Sequence, residues 1–269
     1  MGSQHSCIRK LSESSLNESI EMLARRLHKE IAARCSRKLA TRTLSAPIIS
    51  FTFDDFPRSA LNVAGDMLLA EGVRGTYYAA LGLMGSTTSV GPIFHHRDLD
   101  ALLNAGHELA CHTFHHVSSN KVSLTQLSQD CAKNRAAAGD KFGGCLLRNF
   151  SFPQGEVTLT AKRNLALQYE SCRTIEPGIN GSPADLAFLR ANPVYTGSPL
   201  ENLRALIAEN SLRKGWLIFY THDVSSVPSK FGCTPDKFRQ VLSWATASGA
   251  EILTVARAVS RFQVMAQPS

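Results

Sequence analysis

This chain of 269 residues lacks most of the short patterns that assign a function at a glance. It has no Gly-x-Ser-x-Gly elbow, no Walker-type phosphate loop and no Gly-x-Gly-x-x-Gly after its first strand-like run. Nucleophilic-serine hydrolases, P-loop enzymes and dinucleotide-binding folds therefore lack support. No apolar run approaches the roughly 18 residues of a membrane span. No apolar h-region of about 7–15 residues follows Arg9 and Lys10, so no signal peptide is read and a cytoplasmic protein is expected. Cys7, Cys35, Cys111, Cys131, Cys145, Cys172 and Cys233 are odd in number and include no Cys-x-x-Cys pair. A disulfide framework and a zinc ribbon are therefore excluded, leaving small buried thiols in a reducing compartment.

What is present is a globular composition, 43% hydrophobic and 19% charged. That supports one large α/β barrel or two small domains, and excludes disorder. The net charge of +7 first suggests a polyanion as partner. Residues 1–47, however, hold nine basic and four acidic residues and so carry +5 of it. The remainder is nearly neutral, which argues against nucleic acid.

The basic segment has its own pattern. Leu16, Ile20, Leu23, Leu27 and Ile31 recur at steps of three and four, predicting a helix over residues 15–38 with one apolar stripe. Arg25, Arg26, Lys29 and Arg34 occupy its other faces. The stripe is expected to pack on the body of the protein, with contact to an anionic membrane surface as the competing reading. Residues 39–46 read as a linker. The expected division is thus an amphipathic extension over 1–46 and a catalytic domain over 47–269.

From Pro47 onward strand and helix signals alternate. Strand-like runs cover 48–53, 75–79, 107–111, 149–152, 216–221 and 251–255. Helical patterns cover 60–70, 98–105, 125–138, 159–168, 200–212 and 235–247. Such alternation implies parallel β-α units, in a barrel or a doubly wound sheet.

Reactive residues follow four of the strand-like runs. Asp54 and Asp55 follow Ile-Ile-Ser-Phe-Thr-Phe, and His112 and His116 follow Glu-Leu-Ala-Cys. Pro153-Gln154-Gly155 follows Phe-Ser-Phe, and His222-Asp223 follows Trp-Leu-Ile-Phe-Tyr-Thr. The C-terminal ends of parallel strands converge on one face, so these groups are expected in one place. Adjacent carboxylates on an extended chain point to opposite sides, so a turn is needed to bring Asp54 and Asp55 together. Two histidines and a carboxylate make a facial metal site with open positions, fit for zinc, cobalt or iron. Spacing alone leaves His115 and His116 as rivals for the second imidazole. His95, His96 and His107 read as structural, and alternation turns Cys111 into the core.

These residues resemble the polysaccharide deacetylase family, the NodB-homology domain of carbohydrate esterase family four. The resemblance rests on Thr52-Phe53-Asp54-Asp55, Gly106-His107-Glu108, His112-Thr-x-x-His116, Phe150-Ser151-Phe152-Pro153-Gln154-Gly155 and Phe219-Tyr220-Thr221-His222-Asp223. It runs in order from about Pro47 to Val259. It implies a distorted (β/α) barrel of about seven parallel strands and metal-dependent N- or O-deacetylation of a carbohydrate. Asp54 would be the general base and His222 the general acid. Asp55, His112 and His116 would hold one divalent transition metal, zinc first, with cobalt, iron and nickel as alternatives.

The sequence departs from the family at several places. Many members carry an arginine two residues before the third-motif proline, Pro153, to steady the catalytic aspartate. Ser151 stands there, and Arg148 is the nearest arginine. Asp185 is the candidate carboxylate for tuning His222. Tyr220 stands where many members have leucine, which alters the expected pocket for the acetyl methyl. The expected substrate is an N-acetylated sugar: a chito-oligosaccharide, a polysaccharide precursor or a lipid-linked sugar. A small amide or formamide hydrolase on the same scaffold and a non-catalytic carbohydrate-binding member are the alternatives. Oligomeric state is not legible.

Overall fold

The computed structural model describes residues 23, 24, 26–35, 37–141 and 147–262. Eight short parallel strands form its main sheet: β1 (Ile48–Asp54), β2 (Thr76–Ala79), β3 (Glu108–Cys111), β4 (Asn149–Ser151), β5 (Ser171–Arg173), β6 (Asn192–Pro193), β7 (Trp216–Thr221) and β8 (Glu251–Ile252). The order is β6-β7-β1-β2-β3-β4-β5, and β8 pairs with the start of β1. Between the two edges, residues 186–191 are stitched to β5 by backbone hydrogen bonds from Cys172 to Leu186 and from Leu189 to Cys172. The result is the expected distorted β/α barrel.

Every residue of β1 is buried, as a central parallel strand covered on both faces requires. Its alternate residues serve two layers. Ile49, Phe51 and Phe53 face the helical shell, where Phe51 meets Phe238 with ring centroids 5.5 Å apart. Ser50, Thr52 and Asp54 form a polar row inside the barrel. Ser50 Oγ accepts from Trp216 Nε1 at 2.9 Å, and Thr52 donates to the Phe219 carbonyl at 2.9 Å. Asp54 is thus the last member of an interior row that starts with the buried Ile48 and is polar from Ser50 onward.

The helical shell comprises a π-helical turn (Ala60–Gly65) running into α1 (Asp66–Ala70), then α2 (His96–Asn104), α3 (Leu124–Lys141), α4 (Leu159–Gln168), α5 (Leu200–Arg213), α6 (Pro235–Ala247) and α7 (Val255–Phe262). Local chemistry starts several of them. Thr158 caps α4 by accepting from Ala161 N, and Thr234 caps α6 by accepting from Lys237 N, with Pro235 in the first turn. Helix α7 replaces the end of the strand expected over 251–255. It packs Phe262 on Trp216, centroids 5.6 Å apart, and covers the barrel at the strands' N-terminal ends.

Two further expectations are corrected before Pro47. The segment read as a linker is hydrogen-bonded to the body: Leu39–Ala40 pairs antiparallel with Ala184–Asp185, and Ala40 and Leu44 are buried. The apolar stripe of the preceding helix does not pack on the body where it is described. Leu23, Leu27 and Ile31 are exposed while Ala32 is fully buried. Leu16 and Ile20 lie outside the described residues. Cys111, Cys131, Cys172 and Cys233 are buried free thiols, as expected, and Cys35 is half-buried. Cys7 and Cys145 lie outside the described residues. Among the described residues no helix is long and apolar enough to cross a membrane.

His107 is a structural histidine: its Nδ1 accepts from Gly75 N at 3.0 Å, and Tyr77 meets its ring edge-on. Burial, reinforced by the Arg74 charge, lowers its pKa from 6.5 to about 4. The unfolded chain therefore binds a proton between these values that the native ring refuses. The resulting contribution to stability is full above pH 6.5 and is lost as the pH falls toward 4. Urea melts across this range should show a shallower pH slope for His107→Gln than for the wild type. Equal slopes would remove His107 from the acid sensitivity.

Candidate active site

The strand register assembles the site. Phe53 is opposite Thr221, so Asp54 and His222 are the next residues of neighbouring strands. Asp54 pairs with Tyr78, Ala79 with Cys111, and Ser151 with Arg173. Asp54, Asp55, His112, His116 and His222 line one cavity of ≈ 290 Å³. Its remaining walls are largely apolar and aromatic, with Val90, Phe152, Ile175, Tyr195, Tyr220 and Phe231 among them.

A left-handed turn brings the two aspartates together. Asp54 ends β1 pointing inward, and then Asp55 and Phe56 have φ of 59° and 55°. Thr113, His116 and Gln154 at the same end of the barrel also have positive φ, at 60°, 56° and 59°. Such conformations are costly for side-chain-bearing residues, and they cluster where surrounding packing over-determines them. Gly155, with φ 66°, belongs to the same rim; a Cβ there would overlap Ile175.

Asp55, His112 and His116 form the one group among the described residues whose donor atoms lie together, all within 4.8 Å of one another. His116 Nε2 is 3.2 Å from Asp55 Oδ1, and His112 Nε2 is 3.6 Å from it. His112 Nδ1 donates to the Ser151 carbonyl at 2.9 Å, which turns the Nε2 lone pair toward Asp55. Burial lowers the His112 pKa to about 4, against the pull of Asp54 and Asp55, and so favours the neutral ring that ligation requires. Asp55 Oδ1 is buried with no hydrogen-bond partner among the described residues. An orphaned carboxylate oxygen facing two imidazole nitrogens fits a divalent transition metal. His115 is elsewhere: exposed, with its Nδ1 against Asp130.

Asp54 is not part of that donor set. It is buried against Arg173, whose Nη2 donates to both carboxylate oxygens and to Ser151 Oγ. Burial alone would raise the Asp54 pKa. The Arg173 charge, helped by His112 and His222, outweighs it and holds Asp54 below the ordinary 3.8. Arg173 is itself fully buried, its guanidinium between the rings of Tyr78 and Tyr220 at 5.0 and 4.9 Å from their centroids.

His222 Nε2 faces the cavity, 3.9 Å from Asp55 Oδ2. Its Nδ1 donates to the Phe231 carbonyl at 3.3 Å, and the Phe231 ring lies 5.4 Å away. A backbone carbonyl, not a carboxylate, therefore orients this ring.

Two expected site residues are displaced. Arg148 is exposed on the outer surface and pairs with Glu170, Nε to Oε1 at 2.7 Å. It precedes β4, whereas the arginine that reaches Asp54 comes from β5. Asp185 binds Lys162 Nζ at 2.7 Å and Lys38 N at 2.9 Å, which engages both of its oxygens away from His222. Pro153 is buried and starts the turn that presents Gln154 and Gly155; Tyr220 lines the cavity. Sequence reasoning missed Arg173, Tyr195, Ile175 and Phe231. Arg173 ends a three-residue strand with no motif around it.

Comparisons with known proteins bear on family and fold. Residues 41–170 match the family described as polysaccharide deacetylase. A search of curated proteins found no match to the chain. Among solved structures, it resembles the Xyl-CE4 domain of a multidomain xylanase from the hindgut metagenome of Trinervitermes trinervoides, at 18% identity. That match has a TM-score of 0.57 and covers 81% of this chain and 91% of the other. It resembles a family 4 acetyl xylan esterase from Clostridium thermocellum in complex with a cobalt ion, at 21% identity and TM-score 0.56, covering 79% and 90%. It also resembles the chitin deacetylase of the fungus Colletotrichum lindemuthianum, at 15% identity and TM-score 0.55, covering 80% and 88%. These likenesses establish a shared fold.

The buried pair predicts an asymmetry in stability. Arg173→Met leaves Asp54 buried without its counter-charge and should cost about 3–5 kcal/mol in chemical denaturation. Adding Asp54→Asn should recover much of that loss, because the pair couples. Arg148→Ala, at an exposed ion pair, should change stability by less than about 1 kcal/mol.

Proposed function

We propose that this chain, whose residues 41–170 belong to the polysaccharide deacetylase family, is a metal-dependent hydrolase that removes acetyl groups from an N-acetylated sugar. The observation that carries this reading is the separation of three roles around one cavity. A three-donor cluster, a carboxylate outside it and an imidazole on another strand all face the same space. The reading takes residues 47–269 as the catalytic unit and residues 1–46 as an extension.

Asp55, His112 and His116 would hold the metal, which when bound supplies Lewis acidity toward water and the acetyl oxygen. Asp54, kept ionised by Arg173, accepts the proton of the attacking water as its oxygen bonds to the acetyl carbon. Both carboxylate oxygens already receive Arg173 Nη2, so the base cannot swing out of reach. His222 Nε2 gives a proton to the leaving nitrogen as the carbon–nitrogen bond breaks, and the Phe231 carbonyl keeps Nδ1 in place through the step. Acetate and an amino sugar result. The apolar walls formed by Ile175, Tyr195, Tyr220 and Phe231 suit an acetyl methyl and exclude water. Related folds are named for esters of xylan and for chitin; the family match supports a carbohydrate, and the apolar walls support the acetyl group it carries.

The test is acetate release from a panel of N-acetylated oligosaccharides, lipid-linked sugars and small amides. Asp54→Asn should retain metal yet lose about 10²–10⁴-fold in kcat. Asp55→Ala should fail to retain metal on desalting, and chelation of the wild type should abolish activity that added zinc or cobalt restores. Full activity of Asp54→Asn, or of the chelated enzyme, would overturn the mechanism. Turnover of small amides alone would overturn the sugar.

A further inference from the structure

The helix before the barrel is held by one side and turned outward by another. Lys162, fully buried, donates from Nζ to the carbonyls of Ala32 and Cys35 at 2.6 and 2.9 Å. Lys29 pairs with Glu176 at 2.6 Å. These contacts fix the helix end and the face that carries Ala32. Leu23, Leu27 and Ile31 are consequently left 69%, 56% and 39% exposed in a single row. Leu16 and Ile20 continue the same spacing upstream in the sequence.

Beside this row lies a cavity of ≈ 590 Å³ with a strongly cationic lining. Arg26, Arg34 and Arg37 come from the helix and the turn after it, and Arg190 from the segment between β5 and β6. The two acids of the lining, Glu30 and Glu176, are answered by Arg34 and Lys29. Three guanidinium groups remain in excess.

We propose that this face docks the protein on an anionic phospholipid bilayer. Leu23, Leu27 and Ile31 enter the interfacial layer, and Arg26, Arg37 and Arg190 receive lipid phosphates. Charge selects this occupant. A second copy would set the same cationic cavity against itself, a like-charge juxtaposition. A free phosphate would leave the apolar row uncovered. The contact is a helix lying on the membrane, since no described helix is able to cross one. Ile175 walls the candidate active site and Glu176, its neighbour in the chain, lines the cationic cavity. Docking therefore places the barrel beside the lipid surface.

Full-length protein sedimented with vesicles tests this. Vesicles of phosphatidylcholine containing about one-third phosphatidylglycerol should bind it, those of phosphatidylcholine alone should bind at least tenfold less, and raised salt should weaken binding. The triple variant Leu23→Gln, Leu27→Gln, Ile31→Gln should bind at least tenfold more weakly at an unchanged melting temperature. Arg26→Gln with Arg37→Gln and Arg190→Gln should lose the preference for anionic vesicles. No binding by the wild type, equal binding to neutral vesicles, or wild-type affinity in the leucine-row variant would overturn the proposal. So would a dimer in sedimentation velocity that the same row holds together.

Discussion

The ion pair between Arg173 and Asp54 is the constraint to which the rest of the site conforms. A carboxylate at the inner end of a barrel strand loses its hydration, and several kcal/mol must be regained from a counter-charge with good geometry. Arg173 supplies that counter-charge from two strands beyond His112, through a guanidinium that donates to Asp54 and to Ser151. The small Ser151 is what makes the crossing feasible: β4 lies between β3 and β5, and a bulky side chain there would occupy the path. Tyr78 and Tyr220 then close over the guanidinium faces. Tyr220 thus serves two ends, because its flat aromatic ring both covers the Arg173 cation and walls the cavity.

The same pair sets the division of labour between neighbouring carboxylates. Asp54 has both oxygens engaged and belongs to the interior polar row, whereas Asp55 leaves the strand through a left-handed turn and presents an unpartnered oxygen to His112 and His116. Two adjacent acids in one dielectric would otherwise repel and share a proton. Here one is neutralised by arginine, and the other is left with the donor geometry of a cation site. The positive-φ residues around the rim are strained, and the fully buried strands beneath them hold that strain.

Much of this is written in the sequence, and the failures have common physical origins. The borders of α4, α6 and β7 coincide with their sequence patterns because caps and periodicity act locally. Strands β5 and β6, with three and two residues, are too short for any periodic signal, so the residue that β5 carries could not be singled out. Arg148 and Asp185 were expected on grounds of chain proximity and charge alone. Which arginine meets Asp54 depends on strand register, a property of pairing between distant segments. The cluster of Asp55, His112 and His116 was legible because its members come from only two segments, although spacing alone left His115 as a rival to His116. Periodicity likewise discloses that the N-terminal helix has an apolar row, but the row's direction is decided by Lys162 and Glu176, more than a hundred residues away.

Asp185 joins these levels. It engages Lys38 through the backbone and Lys162 through an ion pair, and Lys162 in turn holds the carbonyls of Ala32 and Cys35. Leu39–Ala40 adds a strand to Ala184–Asp185 at the same place. The carboxylate expected to tune His222 is instead the anchor of the extension. All of these anchors are polar and lie on one side of the helix, so the leucine row can remain outward without loosening the attachment. The irregular stretch between β5 and β6 therefore carries part of the helix tether, through Glu176 and Asp185, and, through Ile175, a wall of the cavity that Asp54 and His222 line. The proposed surface contact and the proposed chemistry differ in charge, yet both rest on one loop.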